Sequence, residues 1–95
     1  MKLSDFNIEE NLFKAVTVSW MDIVTYGGWI SKDKMEAEHS PLDSCSTMGF
    51  LTYKGKKEDI EYLVISATHA VNGPDQYNQH IVIPSCCISN IELLD

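Results

Sequence analysis

The first dozen residues are mostly polar and acidic, with Asp5, Glu9 and Glu10 among them. Ser4 or Asp5 can cap a short helix there, and a frayed arm fits the same pattern. From Phe13 the period changes to two. Val16, Val18 and Trp20 point one way while Ala15, Thr17 and Ser19 point the other, which predicts a half-buried strand over Ala15–Trp20. Met21–Tyr26 either continues or bends that strand. The pair Gly27-Gly28 then breaks the chain, and Trp29-Ile30 resumes an apolar segment. The charged stretch Ser31–Glu38 reads as one or two helical turns, with Ser31 as cap and Met35 facing inward, and His39–Asp43, which holds Pro41, reads as loop.

The second half carries a clearer β pattern. Cys45–Tyr53 and Ile60–Thr68 are two β-rich runs joined by a polar hairpin connection over Lys54–Asp59. Ile60, Tyr62 and Val64 alternate with Glu61, Leu63 and Ile65, so the second run is apolar on both faces over part of its length, as expected of a strand near the middle of a curled sheet. Asn72-Gly73-Pro74-Asp75 is a turn, Gln79–Ile83 a further strand, and Pro84 its end. Ser85–Cys87 fits one tight turn before a last short strand over Ile88–Leu94. The prediction is an all-β chain with a minor helix: a small five-stranded curled sheet or barrel over residues 13–95, preceded by an arm or short helix over 1–12.

Ninety-five residues leave room for one core. A chain this short buries only about 60–65% of its unfolded surface, which makes a homo-oligomer a natural way to gain buried area. A hydrophobic content of 44% speaks against disorder. The net charge of −7 repels phosphate backbones, so non-specific nucleic-acid or anionic-membrane binding is not expected, while a basic protein or a small nucleotide remains open. No leader-like segment opens the chain, and no apolar run approaches the ~20 residues needed to span a bilayer. The cysteines Cys45, Cys86 and Cys87 are odd in number, and two are adjacent, which does not suit a secreted disulfide framework and points to a reducing cytoplasm.

Two resemblances enter on particular residues. Ile83-Pro84-Ser85-Cys86-Cys87-Ile88 resembles the end of Src-homology-3-type barrels, where an apolar-Pro-Ser segment enters a 3₁₀ turn before the final strand. The spacing of Val18, Trp20 and Asp22, then Gly28-Trp29, then Ser46 to Leu51, then Ile83 to Leu94 resembles small bacteriophage and prophage proteins of Src-homology-3-type or Sm-like pattern. That resemblance implies a phage origin and the host bacterial cytoplasm, and it implies no chemistry.

Trp20, Asp22, Tyr26, Gly27, Gly28 and Trp29 form the candidate ligand site: aromatic faces that stack on bases or apolar groups, beside glycines that let a ligand approach the backbone. The competing reading puts both tryptophans in the core and has Asp22 organise its own turn. Lys54, Lys56 and Lys57 could seat a phosphate, yet Glu58, Asp59 and Glu61 follow and neutralise them, so a solvated turn is the plainer reading. The thiols with His39, His69 and His80 lack paired spacing for zinc, so no metal and no cofactor are expected. A nucleophile such as Cys45 with His69 or His80 exists on paper only, and carboxylates scattered among several loops do not suit a DNA mimic.

The residues lead to a non-enzymatic binding protein, and the phage resemblance implies that it sequesters a host nucleotide signal or host protein in takeover or counter-defence. A structural or accessory phage protein is the alternative and a cysteine-dependent enzyme the outsider.

Overall fold

In the computed structural model, which describes residues 1–22, 29, 31–32, 43–73 and 75–94, the expected alternation becomes five antiparallel strands. They are β1 (Ala15–Asp22), β2 (Asp43–Lys57), β3 (Ile60–Ala70), β4 (Gln76–Pro84) and β5 (Ile88–Leu93), in the spatial order β4-β3-β2-β1-β5. β4 and β5 stand at opposite ends of that order, so the sheet is curled but not closed into a barrel. Helical conformation among the described residues is of the 3₁₀ kind, at Lys32 and in three-residue turns at Leu3–Asp5, Glu9–Asn11 and Ser85–Cys87. The last of these joins β4 to β5 directly after Pro84, at the position the sequence indicates. The break at Gly27-Gly28 and most of the helical turn expected over Ser31–Glu38 lie outside the described residues.

The curl originates in β2. Its first half, Asp43–Phe50, pairs with β1, and its second half, Phe50–Lys57, pairs with β3. Between Leu51 and Tyr53 the register shifts, because Thr52 is an extra residue that bends the strand and adds twist. Gly49 stands where the partner changes. A Cβ there would sit 2.6 Å from the Ser66 carbonyl oxygen and 2.9 Å from Ile65 Cγ2, so only glycine lets β2 pass this close to β3.

Val16, Val18, Leu51, Leu63, Ile65, Ile83 and Ile91 form the sealed core, each at most 1% exposed. The pairs Val18–Ile91, Leu51–Ile65 and Leu63–Ile83 are direct cross-strand neighbours, so the core is one continuous face of the sheet. Phe6 and Ile8 close it from the N-terminal side at 8% exposure each. The first twelve residues are thus not a frayed arm, and the short helix expected there is of the 3₁₀ kind, with Lys2 at the cap position in place of Ser4 or Asp5, which lie inside the turn. Two 3₁₀ turns with a buried Phe6 and Ile8 fold them over the core.

Strand lengths depart from expectation: β2, β3 and β4 are all longer than the apolar runs that announced them, while β5 ends one residue early, at Leu93. The six-residue connection expected over Lys54–Asp59 shrinks to a two-residue turn at Glu58-Asp59, with φ of 49° and 68°. Positive φ at both central residues matches the right-handed twist of the flanking strands. Lys54, Lys56 and Lys57 continue the ladder opposite Leu63, Glu61 and Ile60, their charged ends reaching solvent.

The two edges differ. Along β5, the Ile91 N–H donates to the Met1 carbonyl at 2.9 Å, and the Met1 ammonium donates to the Ile91 carbonyl at 3.1 Å and to Asn90 Oδ1. Met1 therefore occupies the outward groups of Ile91 as a one-residue strand would. β4 has no strand beyond it among the described residues.

Candidate functional site

Trp20 lies on the core-facing side of β1, opposite Cys45 on β2 and Ile88 on β5. Its ring packs against the core, half-buried, and its Nε1–H donates to Thr47 Oγ1 at 2.9 Å. This is the usual resting state of an indole, apolar body covered and N–H satisfied. Trp29 is the opposite case: its side chain is fully exposed, at 106% of the reference area. Asp22 ends β1 opposite Asp43, and its charge reaches the Cys87 thiol. Tyr26, Gly27 and Gly28 lie outside the described residues. The structure thus separates the two tryptophans, one a framework residue and the other offered to solvent.

Two side-chain clusters have no counterpart in the sequence reading. In the first, His69 stacks on Tyr77 with ring centroids 4.5 Å apart and planes 8° from parallel. Phe50 meets both rings edge-on, and Phe13 lies against Tyr77 at 5.7 Å. Asp75 Oδ1 stands 3.1 Å from His69 Nε2, tying the β3–β4 loop to the cluster. Phe13 holds a φ of 68°, uncommon for a bulky residue, where its N–H donates to the Leu51 carbonyl.

The second cluster centres on Ser66, which is fully buried. Its Oγ lies 2.8 Å from Thr52 Oγ1 and 2.6 Å from His80 Nδ1. Thr52, the bulge residue, donates to the Val64 carbonyl at 3.2 Å. One proton ordering serves every group: His80 Nδ1–H to Ser66, Ser66 to Thr52, Thr52 to Val64. The arrangement looks like a Ser–His dyad, but the Ser66 hydroxyl has no access to solvent and spends its proton on the network.

Cys45 does not join either histidine. It sits opposite Trp20, five residues along β2 from Phe50, or about 16 Å of extended strand, whereas Phe50 pairs with Ser66 and touches His69. His69 is engaged with Asp75 and His80 with Ser66. At the 3₁₀ turn, burial pushes the Cys87 thiol above its ordinary range, helped by a hydrogen bond with Cys86 and by electrostatic repulsion from Cys86 and Asp22. That disfavours the nucleophilic thiolate. Lys54 pairs with Glu9 at 3.4 Å and Lys56 with Asp59 at 3.9 Å, so two of the three lysines have acidic neighbours. Among the described residues no three His, Cys, Asp or Glu side chains converge on one point, and no helix is long and apolar enough to cross a membrane.

The face of β2, β3 and β4 turned away from the core is apolar as well. Tyr62, Val64, Val82 and Pro84, with Ile60, line an open groove of about 430 Å³ that ends at Lys57 and Glu58. Gly55 lies beneath the Tyr62 ring, which covers the strand where a side chain is missing, and Tyr53 lies beside it with centroids 6.2 Å apart. Tyr53, Ile60 and Val82 are each more than half exposed. The sequence signalled this face through the two-sided apolar character of β3, read as a strand near the middle of a curled sheet. One side is core and the other is open. Comparison of the chain with protein-family models, with curated proteins and with solved structures gives no match.

Proposed function

We propose that this protein acts by binding rather than catalysis, and that Trp29 is the anchor it places into a protein partner. The observation that carries the reading is the complete exposure of that indole beside a Trp20 that is packed and hydrogen-bonded. A tryptophan offers roughly 150–250 Å² of surface, so covering it is worth about 4–6 kcal/mol by area, more than most single contacts supply. Exposed tryptophans that enter a partner's pocket are the commonest energetic centres of interfaces. The charge of −7 favours a basic surface around that pocket.

A protein suits this arrangement better than a nucleotide. Clamping a base takes two offered rings, and Trp20 is committed to the core. In this proposal the partner is a host protein of the bacterial cytoplasm, held out of action during takeover or counter-defence, in keeping with the resemblance to bacteriophage proteins.

Photocrosslinking tests the proposal directly. With benzoylphenylalanine in place of Trp29, protein made in the host should give one discrete adduct, and excess wild-type protein should suppress it. The partner identified in that adduct, once purified, should bind Trp29→Ala at least about thirtyfold more weakly than wild type. Equal affinity for the two would remove Trp29 from the interface.

A further inference from the structure

We infer that β4 is the docking edge for a second copy of this chain, and that the two copies pair antiparallel about a two-fold axis through Val82. Three observations converge on that strand. The first is hydrogen bonding. In an edge strand every second residue directs its N–H and C=O away from the sheet, and β4 has no neighbour beyond it among the described residues. On β5 the outward groups of Ile91 are taken by Met1, with the ammonium and Glu92 alongside.

The second observation is charge. Two copies each carrying −7 repel, yet β4 from Gln76 to Pro84 contains no Asp, Glu, Lys or Arg. Over those nine residues a like-charged copy can approach without bringing formal charges into opposition.

The third is apolar surface. Val82 is 57% exposed on β4 and shares the open groove with Val64, Tyr62 and Pro84. A second sheet laid edge to edge would continue that groove across the junction.

Geometry then selects the register. Gln79 passes through φ of 60° and its N–H is taken by Asn78 Oδ1 at 2.7 Å, so the strand is kinked there. Pro84 lacks an N–H, which leaves His80–Ile83 as the usable segment. Directly opposed residues in an antiparallel pair share a face, so an outward residue must oppose an outward residue. An axis through Val82 satisfies this: Val82 meets its own copy, and Ile81 meets Ile83, both of which face the core side. Because Met1 takes the outward groups at the middle of β5, the contact is expected to be self-complementary and to close at two copies instead of propagating from β4 to β5. The inference does not depend on Trp29.

Sedimentation equilibrium of the full chain between about 1 and about 100 μM covers the weaker part of the affinity range of ordinary interfaces. The wild type should be a dimer within that range. Val82→Lys should associate at least about thirtyfold more weakly with unchanged circular dichroism, whereas Leu93→Lys on β5 should leave association intact. If Val82→Lys fails to fold, the second arm decides. A chain with Cys45, Cys86 and Cys87 replaced by serine and with Val82→Cys should form a disulfide-linked dimer on diamide oxidation. A monomeric wild type, a folded Val82→Lys chain that still dimerises, dissociation by Leu93→Lys, or failure of the Val82→Cys chain to crosslink would each overturn the inference.

Discussion

Replacing Gly49 by alanine tests the account of the curl. In an open strand such a change stabilises by roughly 0.5–1 kcal/mol, since glycine loses the most backbone freedom on folding. Here the added methyl would meet the Ser66 carbonyl oxygen at 2.6 Å and Ile65 Cγ2 at 2.9 Å. The carbonyl is backbone and cannot swing aside. Relief requires β2 and β3 to separate by several tenths of an ångström at the point where β2 exchanges partners. Overpacking of this kind costs about 1–3 kcal/mol, and weakening one neighbouring ladder bond about 1 kcal/mol more. After the gain in strand propensity, a net loss of roughly 1–3 kcal/mol is expected. For a domain near 100 residues that lowers Tm by roughly 5–20 °C. Urea unfolding followed by tryptophan fluorescence gives the free energy directly, with the slope against denaturant unchanged. Gly55→Ala is the internal control, because its methyl would meet the far end of the Tyr62 side chain, which can turn aside as a backbone carbonyl cannot. A Gly49→Ala chain as stable as wild type would refute the close-approach reasoning.

Other outcomes follow from the same contacts. Phe6→Ala should cost about 3–5 kcal/mol in urea unfolding, since Phe6 is core despite its place in a polar arm. In a double-mutant cycle on melting, Ser66→Ala and His80→Ala should show a coupling of about 0.5–1.5 kcal/mol, and additivity would deny the hydrogen bond between them. The raised Cys87 thiol should alkylate more slowly than the exposed Cys86 under iodoacetamide at about pH 8, as read by peptide mass mapping. The sign for stability follows from the same shift: Cys87 binds its proton more tightly when folded, so that increment is present below the ordinary thiol pKa and diminishes above it.

The period-two patterns of β1 and β3 were plain in the sequence because Val16, Val18, Leu63 and Ile65 sit at alternate positions on one buried face. The ends of β2 and β4 were not, since Lys54–Lys57 and Gln76–Asn78 are polar residues that pair through the backbone, which carries no side-chain signal. The N-terminal arm misled for a related reason: its apolar residues Met1, Leu3, Phe6, Ile8 and Leu12 are irregularly spaced among polar ones and make no period. Of the candidate site, Trp20 and Trp29 stood out as aromatics, but nothing in their spacing said which was packed and which was free. The Ser66–Thr52–His80 network joins three strands and depends on a one-residue bulge, a feature invisible until the register is known.

The pairing of Val18 with Ile91 has a consequence for how the chain acquires its structure. Strands β2, β3 and β4 are joined by short turns and can meet early, whereas β1 and β5 meet only by closing a loop from Trp20 to Ile88. Contacts of such long sequence separation form slowly. Until β5 has emerged from the ribosome, Val16 and Val18 lack the cover of Ile91, and the nascent chain carries an apolar face that is still partly open.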